Sequence, residues 1–193
     1  MIVNIIKKIV YIVICKIMYR VKYIGMDNIK KDRSYVVACN HMSWVDPVAL
    51  WCRVPNVRVM AKAELFKIPV FGWIITKLGA FPIRRGEKDF GSIYHSINVL
   101  KKDKCNLIIF PEGTRNAINK NVKPKIGAVY LAITSGSEIV PIHVTKRCHI
   151  FGKITVTIGT PYSLEEYKDS IKDKEMLNER SKELMEKIYA LAK

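Results

Sequence analysis

The sequence predicts a single α/β domain: a central, mostly parallel or mixed sheet flanked by helices. Three observations predict it. Short apolar, β-branched runs such as Tyr35-Val-Val-Ala-Cys39, Asn106-Leu-Ile-Ile-Phe110 and Ile139-Val-Pro-Ile-His-Val144 alternate with segments of helical periodicity. At 193 residues the chain suits one sizeable core. No repeat, low-complexity linker or composition break divides it.

Residues 1–22 read as an amphipathic helix, with residues 23–193 forming the domain proper. At about 3.6 residues per turn, Ile2, Ile6, Ile9, Val13 and Ile17 share one face, whereas Asn4, Lys8, Tyr11, Cys15 and Lys22 fall broadly on the other. The segment holds no acidic residue. That combination describes a helix lying in the headgroup plane of a membrane; a helix packed on the core with solvated lysines is the alternative. The uncharged run Ile9–Cys15 is far shorter than the ~20 residues of a spanning helix. No small-residue cleavage pattern marks a signal peptide. The expectation is a peripheral or monotopic protein on the cytoplasmic face of the cell membrane.

A polar turn, residues 25–33, leads into the strand ending at Cys39 and then into Asn40-His-Met-Ser-Trp-Val-Asp-Pro47. On one continuous helix, residues five apart point roughly 140° away from each other. His41 and Asp46 therefore meet only across a bend, which Asp46 as helix cap and Pro47 as first helical residue would supply. Such a pair has the make-up of a general base and the carboxylate that orients it. Equally, Asp46 caps a helix and His41 is an ordinary loop residue. Ser43 reads as a hydroxyl that stabilises the turn.

A short helix over 47–53 and a strand over 57–61 follow. The apolar, aromatic stretch 63–79 is broken by Pro69 and Gly72 and fits core, lipid-contacting surface or acyl-pocket wall. Residues 79–85 read as a strand delivering Arg84 and Arg85, and 88–102 as a helix in which His95 packs or faces solvent. The strand over 106–110 breaks into Pro111-Glu-Gly-Thr-Arg115, where glycine admits close backbone approach and arginine grips two oxygens, as an oxyanion or phosphate requires. Lys125 adds charge before a helix over 128–134, strands follow over 139–144 and 154–158, and Ser163-Leu-Glu-Glu166 is a capping box opening a C-terminal helical region.

The formal charge of +16 calls for anionic partners, and 49% hydrophobic residues tilt the choice to a membrane surface. RNA binding would need exposed aromatics among the basic residues, and the strands here are aliphatic, so no nucleic acid is expected. The five cysteines are scattered and include no C-x-x-C pair, which suits a reducing compartment. No metal-ligand spacing, serine-hydrolase elbow or nucleotide-binding loop is present.

Taken together, His41-x4-Asp46, Gly79–Arg85, Phe110–Arg115 and Val140-Pro141 resemble, in order, the four motifs of the lysophosphatidic acid acyltransferases (1-acyl-sn-glycerol-3-phosphate acyltransferases). The resemblance covers roughly residues 34–145. It implies a glycerolipid-acyltransferase-like fold, His41 as general base, Asp46 as its orienter, and Arg85, Glu112, Gly113, Thr114 and Arg115 as the group binding the acceptor phosphate. Glu112 is the awkward member, better suited to orienting Arg115 than to touching phosphate. Asn40, Ser43 and Lys125 match neighbouring positions of the same motifs. The implied reaction moves a fatty acyl group from acyl-CoA or acyl carrier protein to the sn-2 hydroxyl of 1-acyl-glycerol-3-phosphate, without cofactor or metal. A sister enzyme acting on glycerol-3-phosphate or another lysolipid, or a catalytically silent lipid- or nucleic-acid-binding module, would share the pattern. Pro82, Arg84 and Asn116 depart from the family's usual residues and bear on the acceptor rather than the reaction.

Overall fold

The computed structural model describes residues 2–84, 89–115, 123–145 and 151–192, with the side chains of residues 2–4 excepted. Its centre is a seven-stranded sheet in the order β1-β7-β6-β2-β5-β3-β4. The strands are β1 (Val21–Ile24), β2 (Val36–Cys39), β3 (Val57–Lys62), β4 (Ala80–Ile83), β5 (Asn106–Ile109), β6 (Ile139–Val144) and β7 (Ile154–Ile158). Only β6 and β7 pair antiparallel; all other neighbours are parallel. The helices are α1 (Ile2–Val10), α2 (Val45–Arg53), α3 (Phe71–Lys77), α4 (Phe90–Lys101), α5 (Gly127–Ser135) and α6 (Lys174–Ala190).

The central strand β2 is buried along its whole length, which explains its continuous apolar run. Its side chains alternate between two cores. Val37 and Cys39 join Cys15, Tyr19, Leu50 and Trp51 beneath the N-terminal helical region and α2. Val36 and Ala38 join Val99, Leu100, Leu131, Leu184 and Ile188 beneath α4, α5 and α6. Because β5 and β6 both pair with β2, the chain leaves β2 in one direction and returns on both sides of it. A crevice therefore opens at the carboxyl end of β2, where open α/β sheets place their ligands.

The N-terminal segment departs from the expectation. α1 runs into a π-helical stretch, Tyr11–Met18, and helical structure stops there; Val21 and Lys22, expected at the helix end, open β1 instead. Arg20, at φ 40°, breaks the helix, and the following Val21–Ile24 takes the free sheet edge beside β7. The helical faces are also reversed relative to a core-packed helix. Ile5, Ile6, Ile9, Ile12, Val13 and Ile17 are exposed, while Cys15 is buried and Tyr11 and Ile14 pack on the core. Lys7 lies 4.9 Å over the Trp51 ring, and this burial lowers the pKa of its ammonium. No helix among the described residues is long and apolar enough to cross a membrane.

Two further boundaries shift. Ser163 caps only a 3₁₀ turn, Glu165–Ser170, through the Glu165 amide at 3.1 Å. The long C-terminal helix starts later, at Lys174, where the Asp173 carboxylate accepts from the Glu175 and Met176 amides. In the stretch 63–79, most large side chains turn outward. α3 rests on the preceding 3₁₀ turn, Ala63–Lys67, through Gly72, where an added Cβ would meet the carbonyl oxygen of Phe66 and lie 2.9 Å from its Cα. Between them Val70 is held at φ 62°, ψ −52°, with the Phe71 amide donating to the Pro69 carbonyl at 2.6 Å, a strained γ-turn. Gly72→Ala should cost about 1–3 kcal/mol in urea unfolding, because the contact is backbone to backbone and cannot relax by rotamer change.

Candidate active site

β2 delivers Asn40 and His41 to its carboxyl end, and the chain then bends through Met42–Trp44 into α2. The bend is built around Asp46, which is 1% exposed. Its Oδ2 accepts from the Met42 and Ser43 amides, both at 2.6 Å, and from His41 Nδ1 at 3.0 Å. Its Oδ1 accepts from Ser43 Oγ at 2.9 Å. These bonds replace the water that a buried carboxylate gives up. Asp46 is not the helix cap that its position before Pro47 predicts: α2 already begins at Val45, and Asp46 reaches back from the first turn to the loop amides. Ser43 does the local work, its hydroxyl accepting from the Val45 amide at 3.2 Å while donating to Asp46.

With Oδ2 already accepting from two amides, the imidazole donates from Nδ1, and Nε2 keeps its lone pair. The ring is fixed from a second direction by Phe110, stacked at 4.1 Å between centroids and 25° between planes. Parallel pairing of β2 with β5, Ala38 opposite Ile109, brings the two strand ends together. Asn40, fully buried, fixes the third direction. Its Nδ2 donates to the Val144 carbonyl at 2.9 Å and its Oδ1 accepts from the Val144 amide at 2.7 Å, so the loop is clamped to β6 across 104 residues of sequence.

The loop after β5 divides its residues. Thr114 and Arg115 are exposed, but Glu112 is buried at 1% exposure, and its Oε1 accepts from the Tyr189 hydroxyl at 2.8 Å. Glu112, expected among the phosphate-binding residues, is thus a buried carboxylate tied to the C-terminal helix. Gly113 adopts φ +67°, and its amide closes the turn onto the Phe110 carbonyl at 3.0 Å. Lys125 donates its amide to the Pro111 carbonyl at 2.7 Å and runs its side chain past Gly113, to within 3.3 Å of where a Cβ would stand. A cleft beside it is lined by Lys123, Pro124, Lys125, Ile126, Lys174 and Asn178. Arg85 lies outside the described residues, as does His149.

Burial pushes the Cys39 thiol well above its ordinary range, with the Asp46 and Glu112 charges adding to it, so this cysteine stays a neutral packing group. Burial lowers the pKa of His143 on β6, which stands edge-on to Tyr189 at 6.0 Å. His95 packs edge-on against Phe81 at 4.5 Å.

The model of the family described as Acyltransferase matches residues 20–145, the stretch that holds Asn40, His41, Asp46, Phe110 and Val144. The chain belongs to that acyltransferase family. Among relatives of this acyltransferase, the 1-acyl-sn-glycerol-3-phosphate acyltransferase of Bacillus subtilis is 32% identical over 184 residues, covering 89% of this chain and 91% of the relative. The protein of the same name from Streptococcus pneumoniae is 34% identical over 72% of this chain, which spans only 53% of that relative's length. The crystal structure of the 1-acyl-sn-glycerophosphate (LPA) acyltransferase PlsC from Thermotoga maritima superposes with a TM-score of 0.68 at 27% identity, covering 95% of this chain and 79% of that one. The acyltransferase thus shares that fold.

Sequence reading missed Tyr189 altogether, because its link to Glu112 spans 77 residues and leaves no local signal. For Asn40, truncation to alanine should strand both the amide and the carbonyl of Val144 and lower stability by about 1–3 kcal/mol or more in denaturant titration. An unchanged midpoint would show that the clamp is dispensable.

Proposed function

We propose that this chain is a membrane-surface acyltransferase that moves a fatty acyl group from a thioester to the sn-2 hydroxyl of 1-acyl-glycerol-3-phosphate, giving phosphatidic acid. The observation that carries the reading is the orientation of His41, whose Nδ1 is committed to the buried Asp46 carboxylate. Nε2 is then the atom available to take the acceptor's hydroxyl proton as its oxygen attacks the thioester carbonyl. The new C–O bond forms as the C–S bond breaks, and the imidazolium returns the proton to the leaving thiolate. Asp46 stabilises the imidazolium meanwhile, and no acyl-enzyme forms. His41 is only 9% exposed, which favours a proton transfer shielded from bulk water.

Arg115 and Thr114, exposed beside the Phe110 end of the ring stack, with Arg85 and Lys125, hold the acceptor phosphate and so place the hydroxyl. The lysine-lined cleft beside Lys125 suits the phosphates of acyl-CoA or the acidic surface of an acyl carrier protein. The outward apolar face of the N-terminal helical region supports docking to an anionic membrane surface, where the lipid acceptor resides.

The test is acylation of lysophosphatidic acid in detergent micelles with acyl-CoA and acyl carrier protein offered separately as donors. His41→Ala, checked as folded, should lose about 10²–10⁴-fold or more in kcat, and Arg115→Ala should raise the acceptor's KM more than the donor's. Turnover surviving in His41→Ala would overturn the mechanism, and equal effects of Arg115→Ala on both KM values would remove its phosphate role. Turnover only with glycerol-3-phosphate or another lysolipid would keep the chemistry and change the acceptor.

A further inference from the structure

The stretch between β3 and β4 exposes more apolar surface than its neighbours need. Leu65, Ile68, Val70, Phe71, Trp73 and Ile74 are each between 36% and 70% exposed, with Val70 at 70% and Trp73 at 66%. They are not scattered: all lie in the continuous segment from the 3₁₀ turn through the γ-turn to the first half of α3. A monomer rarely leaves so contiguous a patch to water without a use for it. Nor is the patch a loose flap. Gly72 locks α3 onto Phe66, the Trp51 indole donates to the Leu78 carbonyl at 2.8 Å, and Leu78 packs on the same core as the N-terminal helical region. The outward direction of these side chains is thereby fixed by backbone packing.

Topology places this knuckle beside the candidate site. β3 runs parallel to β5 and β5 to β2, so the chain leaves β3 at the same sheet edge at which β2 delivers His41. β1 pairs parallel with β7, which is antiparallel to β6, so β1 starts at that same edge, just after Met18. Tyr19 accordingly meets Trp44 of the site loop edge-on at 6.1 Å, and Trp44 is itself 42% exposed. The end of the N-terminal helical region thus meets the site loop at the same end of the sheet from which the knuckle leaves β3.

Charge selects the occupant. Between Leu65 and Leu78 there is no acidic residue, while Lys67 and Lys77 are exposed. Lys77 lies 6.0 Å from the Trp73 ring centre, and the nearest carboxylate in sequence, Glu64, is engaged by Lys62 at 3.1 Å. Apolar and indole side chains rimmed by exposed ammonium groups match the boundary between acyl chains and anionic headgroups.

We propose that the Leu65–Ile74 knuckle is a second lipid-docking element, inserting Val70, Phe71 and Trp73 into an anionic phospholipid surface next to the site. Together with the exposed apolar face of the N-terminal helical region it gives the chain two separate attachments to the bilayer, which fixes orientation as well as attachment. The inference deepens the membrane-surface reading above and rests on it.

The test uses the full chain with vesicles of phosphatidylcholine, with and without phosphatidylglycerol, some carrying brominated acyl chains. The wild type should bind the anionic vesicles, and bromine should quench a tryptophan component that Trp73→Phe removes. Phe71→Ser combined with Trp73→Ser should weaken vesicle binding about tenfold or more, with acylation of a short-chain, monomerically dissolved lysophosphatidate retained as evidence of folding. Ile9→Ser combined with Ile17→Ser should weaken binding independently. If only the Ile9 and Ile17 changes matter and Trp73 is not quenched, the second element is overturned while the membrane-surface reading stands. If the wild type acylates micellar substrate but binds neither vesicle, both the docking element and the membrane-surface reading fall. If light scattering finds a dimer that the Phe71/Trp73 variant abolishes with vesicle binding unchanged, the patch belongs to a second copy of the chain and the proposal is wrong.

Discussion

The buried carboxylate of Asp46 is the constraint around which the site is arranged. Removing a charge from water is expensive, and here two backbone amides, a hydroxyl and an imidazole N–H compensate for it. The compensation dictates the local fold. The chain must turn tightly enough after His41 for the Met42 and Ser43 amides to converge on one oxygen, and α2 must start early enough to present Asp46 from its first turn. His41 then has one way to sit, and its chemistry follows from that position.

The sheet supplies the rigidity the site borrows. β2 is flanked on both edges by parallel strands and covered on both faces, so its carboxyl end is among the best-held points in the molecule. Asn40 ties the site loop to β6, and Phe110 ties the ring to β5. Glu112, bonded to Tyr189, joins the loop after β5 to the C-terminal helix, which makes α6 part of the frame around the exposed residues Thr114 and Arg115. The His41–Asp46 pair is deeply seated while Arg115 stays in solvent, a division that suits the proposed lipid acceptor entering headgroup first.

Much of this was legible in the sequence where a signal is local. The strands β2, β3, β5, β6 and β7 announce themselves as β-branched runs, and the five-residue spacing of His41 and Asp46 contains the geometry of their contact. What escaped depends on partners distant in sequence. β1 is four residues long and carries Lys22, so a helical face read through it continues without a break; its strand character comes only from the free edge of β7. Asp173 rather than Ser163 caps the last α-helix, because a 3₁₀ turn intervenes that no periodicity marks. The inward turn of Glu112 depends on Tyr189, and the outward turn of Phe71 and Trp73 depends on backbone contact at Gly72; in both, composition reports the residue but not its direction.

Everything proposed for His41 depends on Asp46 fixing the neutral ring with the proton on Nδ1 and the lone pair on Nε2. Nitrogen-15 NMR of the imidazole, with His41 assigned by its loss in His41→Gln, reads this tautomer directly. The neutral ring should show a protonated Nδ1 and an unprotonated Nε2, with the proton shifting towards the Nε2 form in Asp46→Ala. A wild-type ring carrying its proton on Nε2 would rule out His41 as the base, because the nitrogen assigned to take the acceptor's proton would already hold one.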